Sequence, residues 1–351
     1  MSLPDLTRAM RQMSACRVSE GRHAVTTRRG INPGASGARS AYPRPMSSDA
    51  FADLGRTLGK VADGLAQLVD VNKQPAPGSP ADKEASGEPF AGEWSAHPRR
   101  DLSATLLMEC WSCVDHLTAS GSVLEEHRGV ASLYTLTRAA AETASLACHL
   151  SEPGIEPIER IRRLMNHNLV ALHEDLNMLG RLSGQDAVRK AARHRAQETA
   201  IARVGSQRGL VFTRPKKGCL PCFLGAKPPS AMTLIDRFAS RTSGVGATYQ
   251  QLLSSVAHGQ LHGLSRFLMR TAMPAEPGKV VVQMNLNARD AALHLLAGPL
   301  CASTLVEHLR WFFGWNTEEL DPAVITMLHT WGRVVGVSHP DPEFSAHLHP
   351  Y

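Results

Sequence analysis

Downstream of residue 101 the chain repeats one pattern: long blocks with apolar positions three and four residues apart, separated by short stretches rich in Gly, Pro, Ser and Asn. That period lays apolar side chains along one face of an α-helix. It predicts helices at about 101–119, 124–150, 155–182, 185–206, 231–241, 246–271, 286–314 with a break near Gly298-Pro299, and 321–336. The loop over 207–230 is rich in Gly, Pro and Lys, and KVVVQMNL at 279–286 is the one run that reads as β. The expected fold is all-α, a multi-helix bundle over 101–340 followed by a tail at 341–351.

Upstream, SSDAFADLGRTLGKVADGLAQLVD opens on a serine cap and carries Phe51, Leu54, Leu58, Val61, Leu65 and Leu68 at alternating spacings of three and four. This is the seam of a coiled coil or of a docking helix over 47–70. Gly55, Gly59 and Gly64 weaken the helix in isolation, so it is expected to form against a partner surface, a homo-oligomer being one candidate. A Pro, Gly and Ser-rich linker follows over 71–100, and residues 1–46, which lack any period, read as a disordered Arg-rich arm.

Composition supports the helical reading: 43% of residues are apolar but only 5% aromatic, and alanine is abundant. The formal charge of +6 is concentrated in the arm, where eight arginines face only Asp5 and Glu20, so the isoelectric point alone makes a weak case for nucleic acid. No window is long and apolar enough for a membrane span, and no membrane role is expected. The start has no apolar signal core, and either Met1 or Met46 fits as the initiator of an unstructured extension. Seven cysteines without such a signal point to reduced thiols and a cytoplasmic protein.

Two CxxC pairs occur. Cys110 and Cys113 lie in the apolar helical run LLMECWSCVDHL, where cysteine serves as a small buried residue. Cys219 and Cys222, in the loop KKGCLPCFLGAKPP, are the weak metal candidates, as a zinc knuckle or a redox pair. The second helix of the bundle is apolar nearly all round, yet Arg138 and Glu142 stand one turn apart on it, with Ser145 and His149 continuing that face. Buried charges must be paired, so the pair is expected either to brace neighbouring helices or to wall a polar cleft. On the third helix, Arg160 and His167 project within about 20° of each other, whereas Arg162 and His167 diverge by about 140°.

In YQQLLSSVAHGQLHGLS, His258 and His262 have the spacing of zinc ligands on a helix. The residue after the first histidine is Gly259, however, where a zincin carries its general-base glutamate. Projection of 249–268 as one helix instead sets Ser254, Ser255, His258 and His262 on a small, uncharged polar face, with Ser255, Gly259 and Gly263 as a small-residue seam. Such a face is expected to meet another helix or to line a cleft. Neither a nucleophile elbow, a P-loop nor a dinucleotide fingerprint is present, and no cofactor is implied.

The order of five pieces, VDHL, LTRAAAETASLACHL, IERIRRLMNHNL, PPSAMTLIDRF and YQQLLSSVAHG, resembles an uncharacterised bacterial all-helical family that is loosely HEPN-like; it covers about residues 105–270. The recurring polar pieces of that family would correspond to Arg138, Glu142, Tyr249, Ser254 and His258. Several HEPN proteins are metal-independent endoribonucleases with an Arg-x4-6-His motif, which here falls on Arg162 or Arg160 with His167. Two functions follow as expectations. One is a non-catalytic binding or regulatory protein with a cleft at Arg138, Glu142, Tyr249, Ser254 and His258, its ligand or partner unspecified. The other is a toxin-like or defensive endoribonuclease, with RNA as substrate, His167 as general acid/base and Arg160 or Arg162 on the phosphate.

Overall fold

A computed structural model describes residues 48–72, 74–85, 91–92, 94–126, 130–216, 220–240, 245–260, 263, 268–272, 280–284 and 286–336. The arm at 1–46 and the tail at 341–351 lie outside the described residues. Eleven helices and two small antiparallel ribbons account for the described elements: α1 Ser48–Val71, α2 Pro80–Ala85, α3 Pro98–Glu125, α4 Val130–Leu150, α5 Pro157–Leu179, α6 Gln185–Gln207, β1 Phe212–Thr213, β2 Phe223–Leu224, α7 Ala231–Ser240, α8 Val245–Ala257, β3 Leu268–Ala272, β4 Val280–Met284, α9 Ala288–Leu295, α10 Ala297–Phe313 and α11 Asp321–Val335. The fold is all-α, and none of the described helices is long and apolar enough to cross a membrane.

Helix α4 is the centre of the body, flanked by α3, α7, α8 and α10. Its Tyr134, Ala140, Ala141, Ala144, Ala147 and Cys148 are all sealed from solvent. Alanines along such a helix let neighbours approach closely: a Cβ on Gly298 of α10 would sit 2.9 Å from the Thr137 methyl group. The expected break in the 286–314 helix falls at Leu296, two residues ahead of Gly298-Pro299.

The partner of the N-terminal seam is the chain itself. Leu54, Leu58, Val61, Leu65 and Leu68 are buried in a helix packed along α3 and against α11. The seam on which a homo-oligomer through 47–70 would depend is therefore covered within one chain. Its glycines are contact points: a Cβ on Gly55 would meet the Gly121 carbonyl oxygen at 2.5 Å, and one on Gly121 would meet the Gly55 oxygen at 2.9 Å. Gly64 leaves room for Leu320, whose Cδ1 lies 2.5 Å from the same construction. That crossing also explains why α3 runs through Ser120 and Gly121 to Glu125, beyond the expected end at 119.

The described part of the presumed linker at 71–100 is likewise seated on the body. The Ala76 amide donates to the Phe313 carbonyl at 2.7 Å, and Trp315 Nε1 donates to the Gln74 carbonyl at 2.9 Å. Within this stretch α2 carries Glu84, whose carboxylate accepts from Arg99 and lies 3.4 Å from Arg160.

The largest departure from the periodic pattern is at 246–271. Helix α8 stops at Ala257, and β3 pairs with β4 in the register Leu268↔Met284 to Ala272↔Val280. Gly259 takes the left-handed conformation at φ +64; its amide donates to the Val256 carbonyl at 3.0 Å, and Gln260 donates to the Ser255 carbonyl at 2.8 Å. These two bonds form a Schellman termination, which a residue without Cβ favours.

Candidate functional site

Three side chains, Glu142 on α4 with Ser254 and His258 at the end of α8, converge on Arg138. Its Nε donates to Glu142 Oε1 at 2.8 Å, one turn along α4. Its Nη1 reaches Ser254 Oγ and His258 Nε2, each at 3.3 Å, both on the last turn of α8. A guanidinium only donates, so Nε2 of His258 accepts and the ring proton sits on Nδ1. The Schellman turn leaves His258 at the C-cap, one residue past Ala257, and its amide still bonds the Ser254 carbonyl at 3.0 Å. His258 is exposed and Ser254 half-buried, while the Arg138 and Glu142 side chains are 24% and 30% exposed. Among the described residues no acceptor takes Nη2 of Arg138, and the Ser254 hydroxyl keeps its own proton to donate.

Tyr249 stands apart from this group. It precedes His258 by nine residues, which turns it about 180° away on the helix. It packs against the core, and burial pushes its phenol up to about 12. The rest of the α4 face also turns inward: Ser145 is sealed and donates to the Glu142 carbonyl at 3.1 Å. His262, the other half of the suspected zinc pair, lies outside the described residues. Helix α8 ends at Ala257, one residue before His258.

A second, denser network closes the far end of α4. Arg163 Nη1 donates to the His149 carbonyl at 2.6 Å and to Glu152 Oε2 at 2.6 Å, and lies 3.0 Å from His149 Nδ1. Its Nε donates to Glu159 Oε1 at 3.0 Å, and Arg237 of α7 also bonds Glu152. Burial, and next the Arg163 charge, push the His149 imidazole down to about 3, so the ring is neutral.

The residues of the Arg-x4-6-His motif are dispersed. Arg160 is 0% exposed; it donates to the Glu152 carbonyl at 3.1 Å and rests over Trp311 and Phe312 at 5.6 and 4.9 Å. No phosphate reaches it without unfolding of α5. Arg162 is held by Glu159 at 2.5 Å and by the Leu224 carbonyl at 2.8 Å. His167 faces Glu109 of α3 at 4.0 Å instead of either arginine. Burial lowers the His167 imidazole and raises the Glu109 carboxyl to about 7, so both groups favour their uncharged forms. Glu109 escapes sequence reasoning because nothing in LLMECWSC marks one face of that helix as opposite His167.

Cys110 and Cys113 are fully buried, as are Cys148 and Cys301. Burial raises all four thiols, Cys113 to about 12, which leaves them poor nucleophiles and ligands. Cys219 lies outside the described residues; Cys222 is half-buried, with its thiol 3.9 Å from Glu198 and raised by burial and by that carboxylate. Among the described residues no group of three or more His, Cys, Asp and Glu side chains is arranged to hold a metal ion. Comparison of the chain with family models, with curated proteins and with solved structures finds no match in any of the three.

Proposed function

We propose that this is a non-catalytic helical binding or regulatory protein that receives an anionic group, a carboxylate or a phosphate, at the Arg138 cluster. One observation carries the reading: Arg138, Ser254 and His258, 116 and 120 residues apart in sequence, converge at a half-exposed seam where Nη2 and a hydroxyl proton remain for an acceptor. The Arg163 network, by contrast, sets a guanidinium that is only 11% exposed against two carboxylates and a backbone carbonyl. Charge-assisted bonds from a guanidinium suit a planar or tetrahedral anion.

The test is the thermal midpoint of the full chain, titrated with inorganic phosphate and separately with succinate. A concentration-dependent rise with either anion in the wild type, lost in Arg138→Gln and reduced in His258→Ala, is the expected result. A wild type that responds to neither anion, together with an Arg138→Gln variant that merely melts earlier, would reduce the cluster to a brace. Cleavage of RNA in the presence of a chelator, abolished by His167→Ala, would replace this reading with the endoribonuclease one.

A further inference from the structure

The near-neutral charge of the chain beyond the arm conceals a strong asymmetry. Between residues 181 and 227 there are eleven Lys and Arg against two acids, Asp186 and Glu198, a formal +9. The arm at 1–46 holds +6 and the whole chain +6, which leaves −9 for the remaining residues. The basic stretch is α6 with the β1–β2 ribbon and its flanks, and its ten described cations are all exposed. Arg189 pairs with Asp186 and Arg214 with Glu198.

Helix α6 lies on the outside of the body, with α5 as its main neighbour. It turns Ile201, Val204 and Gly205 inward. Along the opposite, outer crest stand Ala192, Ala196 and Thr199, small and exposed. Exposed Arg203 projects from the same crest, with Arg189 and Arg193 on one flank and Arg195 on the other, about 160° from Arg193. An exposed helix face edged by guanidinium groups matches a groove whose walls are phosphate and whose width admits a helix, as the major groove of B-DNA does at about 12 Å. The deep, narrow groove of duplex RNA does not admit one. The 23 residues of α6 span about 34 Å, close to one turn of duplex.

Single strands are held by exposed aromatic rings on which bases stack. Phe212 and Phe223, the only aromatic residues between 181 and 227, are both half-buried. Arginine outnumbers lysine among the exposed cations, the preference of a surface that recognises phosphate oxygens in pairs. We infer that α6 and the β1–β2 ribbon form a sequence-independent binding surface for the phosphate backbone of duplex DNA. This surface is separate from the Arg138 cluster and does not depend on it.

Fluorescence anisotropy of the full chain with a labelled mixed-sequence duplex of about 30 bp, read across salt, tests this. The wild type is expected to bind with an affinity that falls steeply as salt rises. The quadruple variant Arg189→Gln, Lys190→Gln, Arg193→Gln, Arg195→Gln should lose tenfold or more near 0.1 M salt, with a log–log salt slope shallower by about three. Far-UV circular dichroism checks that its helix content is kept. If it is not, Lys216→Gln with Lys227→Gln, outside the helix, should still weaken binding by about two- to fivefold. Wild-type affinity in both variants would assign any binding to the arm and overturn the inference. So would tighter binding to single-stranded RNA, or to phosphatidylserine vesicles, against which exposed Leu182 and Val188 would insert.

Discussion

The two ends of α4 are both fastened by arginine, and they are built differently. At the far end, Arg163 and its neighbour Arg160 donate to carboxylates, carbonyls and a neutral imidazole, in a site where Arg160 has no exposure at all and its Nε is buried without an acceptor. Nearer the start of the helix, Arg138 meets one carboxylate, one hydroxyl and one imidazole at half-exposed positions, and keeps a terminal nitrogen for solvent. A buried arginine ringed by acceptors holds the fold together, whereas a half-exposed one is available to something that arrives. The difference is set by the number of acceptors the neighbouring backbone supplies: the α4–α5 turn brings carbonyl oxygens to Arg160 and Arg163, while the end of α8 brings only side chains to Arg138.

Substitutions can break that comparison. The largest loss is expected from Arg160→Ala, which leaves Glu84 buried beside Arg99 alone and empties the space over Trp311 and Phe312; urea unfolding should register about 3 to 5 kcal/mol. Second is acid unfolding. Because the folded His149 imidazole is depressed, the neutral ring stabilises the fold above the ordinary histidine value of 6.5, and this contribution is lost as pH falls from there toward 3. Wild type should therefore lose roughly 3 kcal/mol more than His149→Gln between pH 7 and 4.

The Glu109–His167 contact sharpens the comparison with the opposite sign. A carboxyl raised to about 7 favours the folded state only while protonated, so its contribution is complete below 4.5 and is lost as pH rises through 7. Glu109→Gln should be more stable than wild type at pH 8 by on the order of 3 kcal/mol and equal to it at pH 4, read by the same titration. The smallest effect is expected at the open cluster: Arg138→Gln should cost under about 1 kcal/mol, because a half-exposed pair contributes little to folding. A loss as large as that of Arg160→Ala would make the two ends alike and remove the contrast.

Much of the fold is legible in the chain because helices announce themselves by local period. The meeting of α4 with α8 was legible too: a charged pair on an alanine-rich helix needs a polar neighbour, and the uncharged face around His258 is of the kind that supplies one. What the sequence hides is non-local. Glu84 and Arg160 are 76 residues apart in a stretch that looks like linker and a helix that looks amphipathic, and only the tertiary fold brings them together. The separation of Tyr249 from His258 follows from helical geometry alone, yet an expectation built on a family pattern overlooks it. Gly259 carried a second message as well, since a glycine after the last periodic residue is a helix stop, but Leu261, Leu264 and Leu268 continued the period and concealed it.

The crossing of α1 with α3 and α11 has a consequence for how the chain is made. On a ribosome adding about 5 to 20 residues per second, α1 emerges long before α11. It can pack on α3 early through the Gly55–Gly121 approach, but Gly64 waits for Leu320, and Asp53 for Arg333, 3.7 Å away in the finished fold. For some tens of seconds the newborn protein has an open flank along its first helix, and the last helix to be synthesised is the one that shuts it.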